Sequence, residues 1–146
     1  MKKRTIQIAL PVTGEEEWYA VKESIISGWL TQGPKVAEFE KQFAIKHHAN
    51  HALAVTSCTT GLHLALAAMG IGPGDEVIVP AFTWIATANV VLYCGATPVF
   101  VDVSTETFNI DPEQVSGKVT EKTKAIIPVH LFGLCADIDG IKAVFL

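Results

Sequence analysis

What the sequence lacks narrows it first. Its cysteines, Cys58, Cys94 and Cys135, are odd in number and far apart, so their spacing suggests neither a disulfide framework nor a zinc site. Positive charge is not in excess: 11 Lys and Arg against 15 Asp and Glu leave a net charge of −4. That removes the basic footprint of a protein that binds nucleic acid or an anionic membrane. The one basic cluster, Lys2, Lys3 and Arg4, is short and terminal and reads as a solvated tail. No apolar run approaches the roughly 20 residues of a membrane helix; the longest, 62–69, is far shorter. The apolar stretch at 6–12 is interrupted by Gln7 and Pro11 with no small-residue cleavage site after it, so no secretory signal is expected. The expectation is a soluble, cytoplasmic protein with neither nucleic acid nor membrane among its partners. Internal repeats, low-complexity linkers and the glycines of Walker or Rossmann loops are also missing.

What remains is apolar and orderly. Hydrophobic residues make up 49% of the 146 and charged residues 18%, a balance suited to a well-buried core. Trp18, Val21, Ile25 and Trp29 recur at helical steps and predict an amphipathic helix over 15–29, with Thr13 and Glu16 placed as a capping box. A second helix is expected over 34–46, opened by Pro34, with Val36, Phe39 and Phe43 as its buried stripe. Thereafter strands and helices alternate. Strands are expected at 51–55, 76–79, 98–103 and 124–129. Helices are expected at 61–69, apolar on most sides and hence buried, and at 84–93 and 111–119, with a last one from about 137. Continuous apolar strands alternating with helices imply an α/β fold, a mostly parallel sheet with helices on both faces. The apolar end at Val144, Phe145 and Leu146 reads as a helix cut short, hence a fragment.

Three segments carry candidate chemistry. The stretch 55–70, VTSCTTGLHLALAAMG, is expected as strand, polar turn and helix. A helix start offers unpaired N–H groups and a positive dipole end, where a phosphate fits. Ser57, Thr59 and Thr60 add hydroxyls, and Cys58 is small enough to let backbone approach. Plain helix capping by Ser57 or Thr59 explains the same residues. The stretch 79–89, VPAFTWIATAN, follows a strand and so lies at the carboxyl edge where α/β proteins bind ligands. Trp84 there is either a stacking surface for a flat cofactor or a core residue. The stretch 128–133, PVHLFG, also leaves a strand; His130 is either an acid–base or substrate-binding group or a structural hydrogen-bonding residue. His47, His48 and His51 suggest dipole contact at a helix end rather than a metal site.

Together these segments, with SGWLTQGPKVAEFEKQFA at 27–44, GIGPGDEVIVPAFTWIATANVVLYCGATPVFVDV at 70–103 and AIIPVHLFGLCADIDGI at 125–141, resemble the DegT/DnrJ/StrS family of nucleotide-sugar aminotransferases, which use pyridoxal 5'-phosphate (PLP). The likeness covers nearly the whole chain in one order. The type making 4-amino-4-deoxyarabinose for lipid A looks especially close, through Thr83-Trp84 and the KAIIPVH string at 124–130. The resemblance implies that 1–146 is the N-terminal portion of the large domain of a fold-type I PLP-dependent transferase. By the same likeness the backbone at Cys58 and Thr59 grips the cofactor phosphate and Trp84 stacks on the pyridine ring. It also puts Thr31 to Pro34, Gly33 among them, near the substrate entrance and the dimer contact; His130 stays a candidate substrate residue. The family's reaction moves an amino group, from glutamate, to a keto group of a nucleotide-linked sugar destined for surface polysaccharide, lipopolysaccharide or antibiotic sugars, and its enzymes work as homodimers. The family's ring-nitrogen carboxylate and Schiff-base lysine fall beyond residue 146, so no catalytic residue is expected here. Two alternatives stand beside this reading: a catalytically inactive fragment, and a generic phosphate-binding α/β module.

Overall fold

The computed structural model describes residues 10–145; Lys2, Lys3, Arg4 and Leu146 lie outside them. The chain divides into two compact units, Met1–Ala54 and Val55–Leu146.

The first unit holds helices α1 (Glu15–Ser27) and α2 (Pro34–Lys46). Acidic Glu15, Glu16 and Glu17 occupy the first turn of α1, where the helix dipole favours negative charge. The cap falls one residue later than expected: Gly14, not Thr13, precedes the helix, and its N–H donates to Glu17 Oε2 at 2.6 Å. That bond holds the Glu17 carboxyl below its ordinary value. Gly28, in the left-handed region at φ 72°, ends α1 before Trp29, because a glycine takes this closing conformation without a Cβ penalty. Pro34 opens α2 as expected. The stripe predicted to be buried is not: Phe39 and Phe43 are about half exposed, Val36 is intermediate, and Ala44 is the buried residue of α2. Helical spacing aligns apolar residues on a face, but burial needs a layer over that face, and this two-helix unit supplies none. The predicted strand at 51–55 pairs with no other strand among the described residues; instead the Ala54 N–H donates to Glu40 Oε1 at 2.8 Å.

The second unit is layered. Its elements are α3 (Cys58–Ala68), β1 (Glu76–Pro80), α4 (Ala86–Tyr93), β2 (Thr97–Val101), α5 (Pro112–Ser116), β3 (Thr123–Ile126) and α6 (Ile138–Phe145). The three strands form a parallel sheet in the order β2-β1-β3. Successive side chains of a strand face opposite sides, and β1 shows it. Val77 and Val79 pack with Leu66, Ile71, Val90 and Val91, whereas Ile78 packs with Val101, Ile110, Val115 and Ile141. Helices α3 and α4 thus cover one face, α5 and α6 the other. The expected α/β architecture stands, with three strands among the described residues rather than the four expected. Helix α3 is less buried than its composition suggested: of its residues only Leu66 is buried. Helix α5 stops at Ser116, short of 119, where Gly117 follows.

The chain's direction fixes where loops lie. The Thr97 N–H reaches the Asp75 carbonyl and the Ala96 N–H reaches the Val91 carbonyl, so the loop after α3 and the end of α4 meet at the amino ends of the strands. An 11-residue helix rises about 16 Å, the length of a five-residue strand. The starts of α3 and α4 therefore lie towards the carboxyl edge of the sheet.

Ile78 belongs to the central strand and is fully buried. Ile78→Ala is expected to lower the unfolding free energy by about 2–5 kcal/mol, read as an earlier midpoint in urea. An unchanged midpoint would show that the sheet is not the stabilising centre.

Candidate functional site

Helix α3 begins in a cluster of short polar side chains. Ser57, extended at φ −161°, caps it: its Oγ accepts the Thr60 N–H at 3.1 Å and lies 3.0 Å from Thr60 Oγ1, which in turn lies 3.2 Å from Thr56 Oγ1. The first intrahelical bond runs from the Gly61 N–H to the Ser57 carbonyl at 3.0 Å. Capping and anion binding, rival explanations of this sequence, use different groups. The cap occupies the third amide of the helix and leaves the amides of Cys58 and Thr59 without a protein acceptor among the described residues. Cys58 is exposed and Thr59 half-buried, so both amides can be reached. Two open N–H groups at the positive end of a helix fit a phosphate dianion.

Trp84 lies just past the carboxyl end of β1 and is 78% exposed, so within this chain it stands outside the core. Its carbonyl accepts the Thr87 N–H at 3.0 Å, which fixes the backbone at the start of α4 while the indole stays outside. His130, exposed, follows β3 at the same edge. Its Nδ1 accepts the Ala136 N–H at 3.0 Å. Cys58, Thr59, Trp84 and His130 thus belong to loops or helix starts at one edge of one sheet.

Thr31 and Gly33 belong to the other unit. Gly33 precedes α2 with extended backbone. Trp29 Nε1 donates to the Gln32 carbonyl at 2.9 Å and packs so closely that a Cβ on Gly33 would collide with the indole. Thr31 and Gly33 line a cleft with Trp29, Glu23 and Lys35. There the Lys35 ammonium lies 2.8 Å from Glu23 Oε2, lowering the Glu23 pKa and raising that of Lys35. Among the described residues no group of three His, Cys, Asp or Glu could hold a metal. At the end of α2 the His47 ring stacks on Phe43, centroids 4.3 Å apart.

One residue of this edge was not singled out from sequence. Asn109 is buried and bonds through both amide atoms to the segment after His130. Its only sequence signal is a polar residue between Phe108 and Ile110, which any turn would explain.

The family described as DegT/DnrJ/EryC1/StrS aminotransferases matches residues 11–145. The chain belongs to that family. Among curated relatives, the spore coat polysaccharide biosynthesis protein SpsC of Bacillus subtilis is 53% identical over 136 residues, which are 93% of this chain and 35% of SpsC. Among solved structures, the Streptococcus pneumoniae protein Spr1654, which bears the name sugar aminotransferase, superposes in its PLP form with a TM-score of 0.90 at 40% identity, covering 97% of this chain and 36% of its own. A 3-amino-5-hydroxybenzoic acid synthase gives a TM-score of 0.86 at 46% identity, covering 93% and 36%. The chain thus spans about a third of the length of these family members. No described helix is long and apolar enough to cross a membrane.

Replacing Ser57 by Ala removes the cap on the Thr60 amide. The expected loss is about 0.5–2 kcal/mol of stability, measured by thermal unfolding; a loss below about 0.2 kcal/mol would mean that solvent satisfies Thr60 equally well.

Proposed function

We propose that the protein carrying this chain transfers an amino group, from glutamate, to a keto group of a nucleotide-linked sugar, with PLP as cofactor. The observation that carries the reading is the start of α3, where the Ser57 cap leaves the Cys58 and Thr59 amides open to an anion. The exposed indole of Trp84 supports it, since a large flat apolar face in water at a ligand-binding edge suits stacking on a planar ring. The names of Spr1654 and SpsC support the sugar and the polysaccharide destination. The 4-amino-4-deoxyarabinose type is a narrower proposal resting on Thr83-Trp84 and residues 124–130. A homodimer is proposed as the working form.

When bound, PLP supplies the electron sink that lets nitrogen leave one carbon and join another. This chain's residues would do the holding. The Cys58 and Thr59 N–H groups donate to the phosphate, Trp84 covers one face of the ring, and His130 offers its Nε2 proton to a substrate oxygen. Thr31 and Gly33 are assigned to the substrate's approach. In the family a ring-nitrogen carboxylate and a lysine complete the site, and neither is assigned to a residue of this chain.

The test uses the full-length protein. Cys58→Pro deletes one phosphate donor while suiting the helix: proline is favoured at the first helical position, and Ser57 before it is already extended. The expected loss in PLP affinity is about 10- to 100-fold, the range for a hydrogen bond to a charged group, with the fold intact. Trp84→Ala is expected to weaken PLP retention about five- to tenfold. Both are read by titrating cofactor absorbance. Undiminished affinity in both variants would refute the placement of the cofactor. Incubation with 15N-glutamate and nucleotide-linked keto sugars should give a 15N-labelled amino sugar; label reaching no sugar would refute the substrate assignment alone.

A further inference from the structure

The turn after His130 is held by a side chain more than twenty residues away. Asn109 Oδ1 accepts the Leu131 N–H at 3.0 Å, and Asn109 Nδ2 donates to the Leu134 carbonyl at 3.0 Å. Asn109 is itself immobilised. It is 4% exposed, its carbonyl accepts the Ser104 N–H at 2.9 Å, and its N–H donates to Thr107 Oγ1 at 3.3 Å. The next residue, Ile110, is buried in the core cluster around Ile78. One amide thus ties both feet of the 131–134 turn to the core.

Within that turn Phe132 has φ 52° and ψ 25° and is 92% exposed. An aromatic residue gains nothing locally from the left-handed region, and such a conformation persists only where surrounding bonds over-determine it. The Asn109 bonds do so. The chain then doubles back, and the buried Ala136 presents its N–H to His130 Nδ1 at 3.0 Å. A ring nitrogen that accepts a hydrogen bond carries no proton, so this network assigns the neutral imidazole proton to Nε2.

We propose that Asn109 is a positioning residue whose two amide bonds hold the 131–134 turn and thereby fix the direction and the Nε2–H tautomer of His130. The consequence for turnover rests on the reading above in which His130 meets the substrate; the geometry does not. Without the Asn109 amide, the Leu131 N–H and Leu134 carbonyl lose their partners, Phe132 relaxes, and the Ala136 N–H no longer faces the imidazole.

The test is NMR on the intact 15N-labelled protein. The wild type should show a scalar coupling across the bond from Ala136 N–H to His130 Nδ1 and the long-range pattern of the Nε2–H tautomer. In Asn109→Ala the coupling should vanish and the pattern move to a mixture of tautomers, with the amide signals of Val77, Ile78 and Val79 unmoved. With one positioned hydrogen bond lost, KM for the sugar should rise about tenfold while kcat changes less. An unchanged tautomer and coupling in a folded Asn109→Ala overturn the proposal. So does absence of the coupling in the wild type, which needs no variant to fold. His130→Ala with unaltered KM would instead refute the substrate contact of His130, leaving the spectroscopic result standing.

Discussion

Burial of β1 on both faces is the constraint from which the rest follows. Val77, Ile78 and Val79 are fully buried, and alternation along the strand sends their side chains into two different clusters. A strand with two apolar faces requires a layer on each. Parallel neighbours then require crossovers, which here are the helices themselves. Once strands run in one direction, every loop that leaves a carboxyl end arrives at the same edge. The loop carrying Trp84 and the turn carrying His130 share an edge for that reason, and the helix start at Cys58 is turned towards it by the packing of α3 on α4.

At that edge the chemistry is mostly backbone. The start of α3 has amide donors by construction, and Ser57 satisfies one of them, at Thr60. A stronger cap that also claimed Cys58 or Thr59 would close the anion site. Stability of the helix and capacity for a phosphate therefore coexist because they draw on different N–H groups. Side chains contribute rigidity around this frame, as Asn109 does for the turn after His130.

The sequence was most legible where local pattern and global packing ask for the same thing. Pro34 opened its helix, and the apolar runs at 76–79 and 98–103 became neighbouring parallel strands. It was least legible where burial was inferred from pattern. Phe39 and Phe43 have the spacing of a core stripe yet stand half exposed, since periodicity names a face and not its cover. Residues 51–55 have strand composition but no ladder among the described residues, since composition does not name a pairing partner. Periodicity carried α1 as far as Trp29, one residue past Gly28, whose left-handed conformation ends the helix.

The sequence by itself determined the α/β class, the family and the residue types at the candidate site, for these depend on order along the chain and on motifs read in place. Tertiary structure alone decided that Trp84 stands outside the core of this chain, that the cap takes Thr60 and spares Cys58 and Thr59, and that Asn109 reaches Leu131 and Leu134. Each of those depends on which groups meet across distances that the sequence does not encode locally. A hydrogen bond spanning 22 or 25 residues leaves no periodic trace, and an indole's exposure depends on what the fold sets against it.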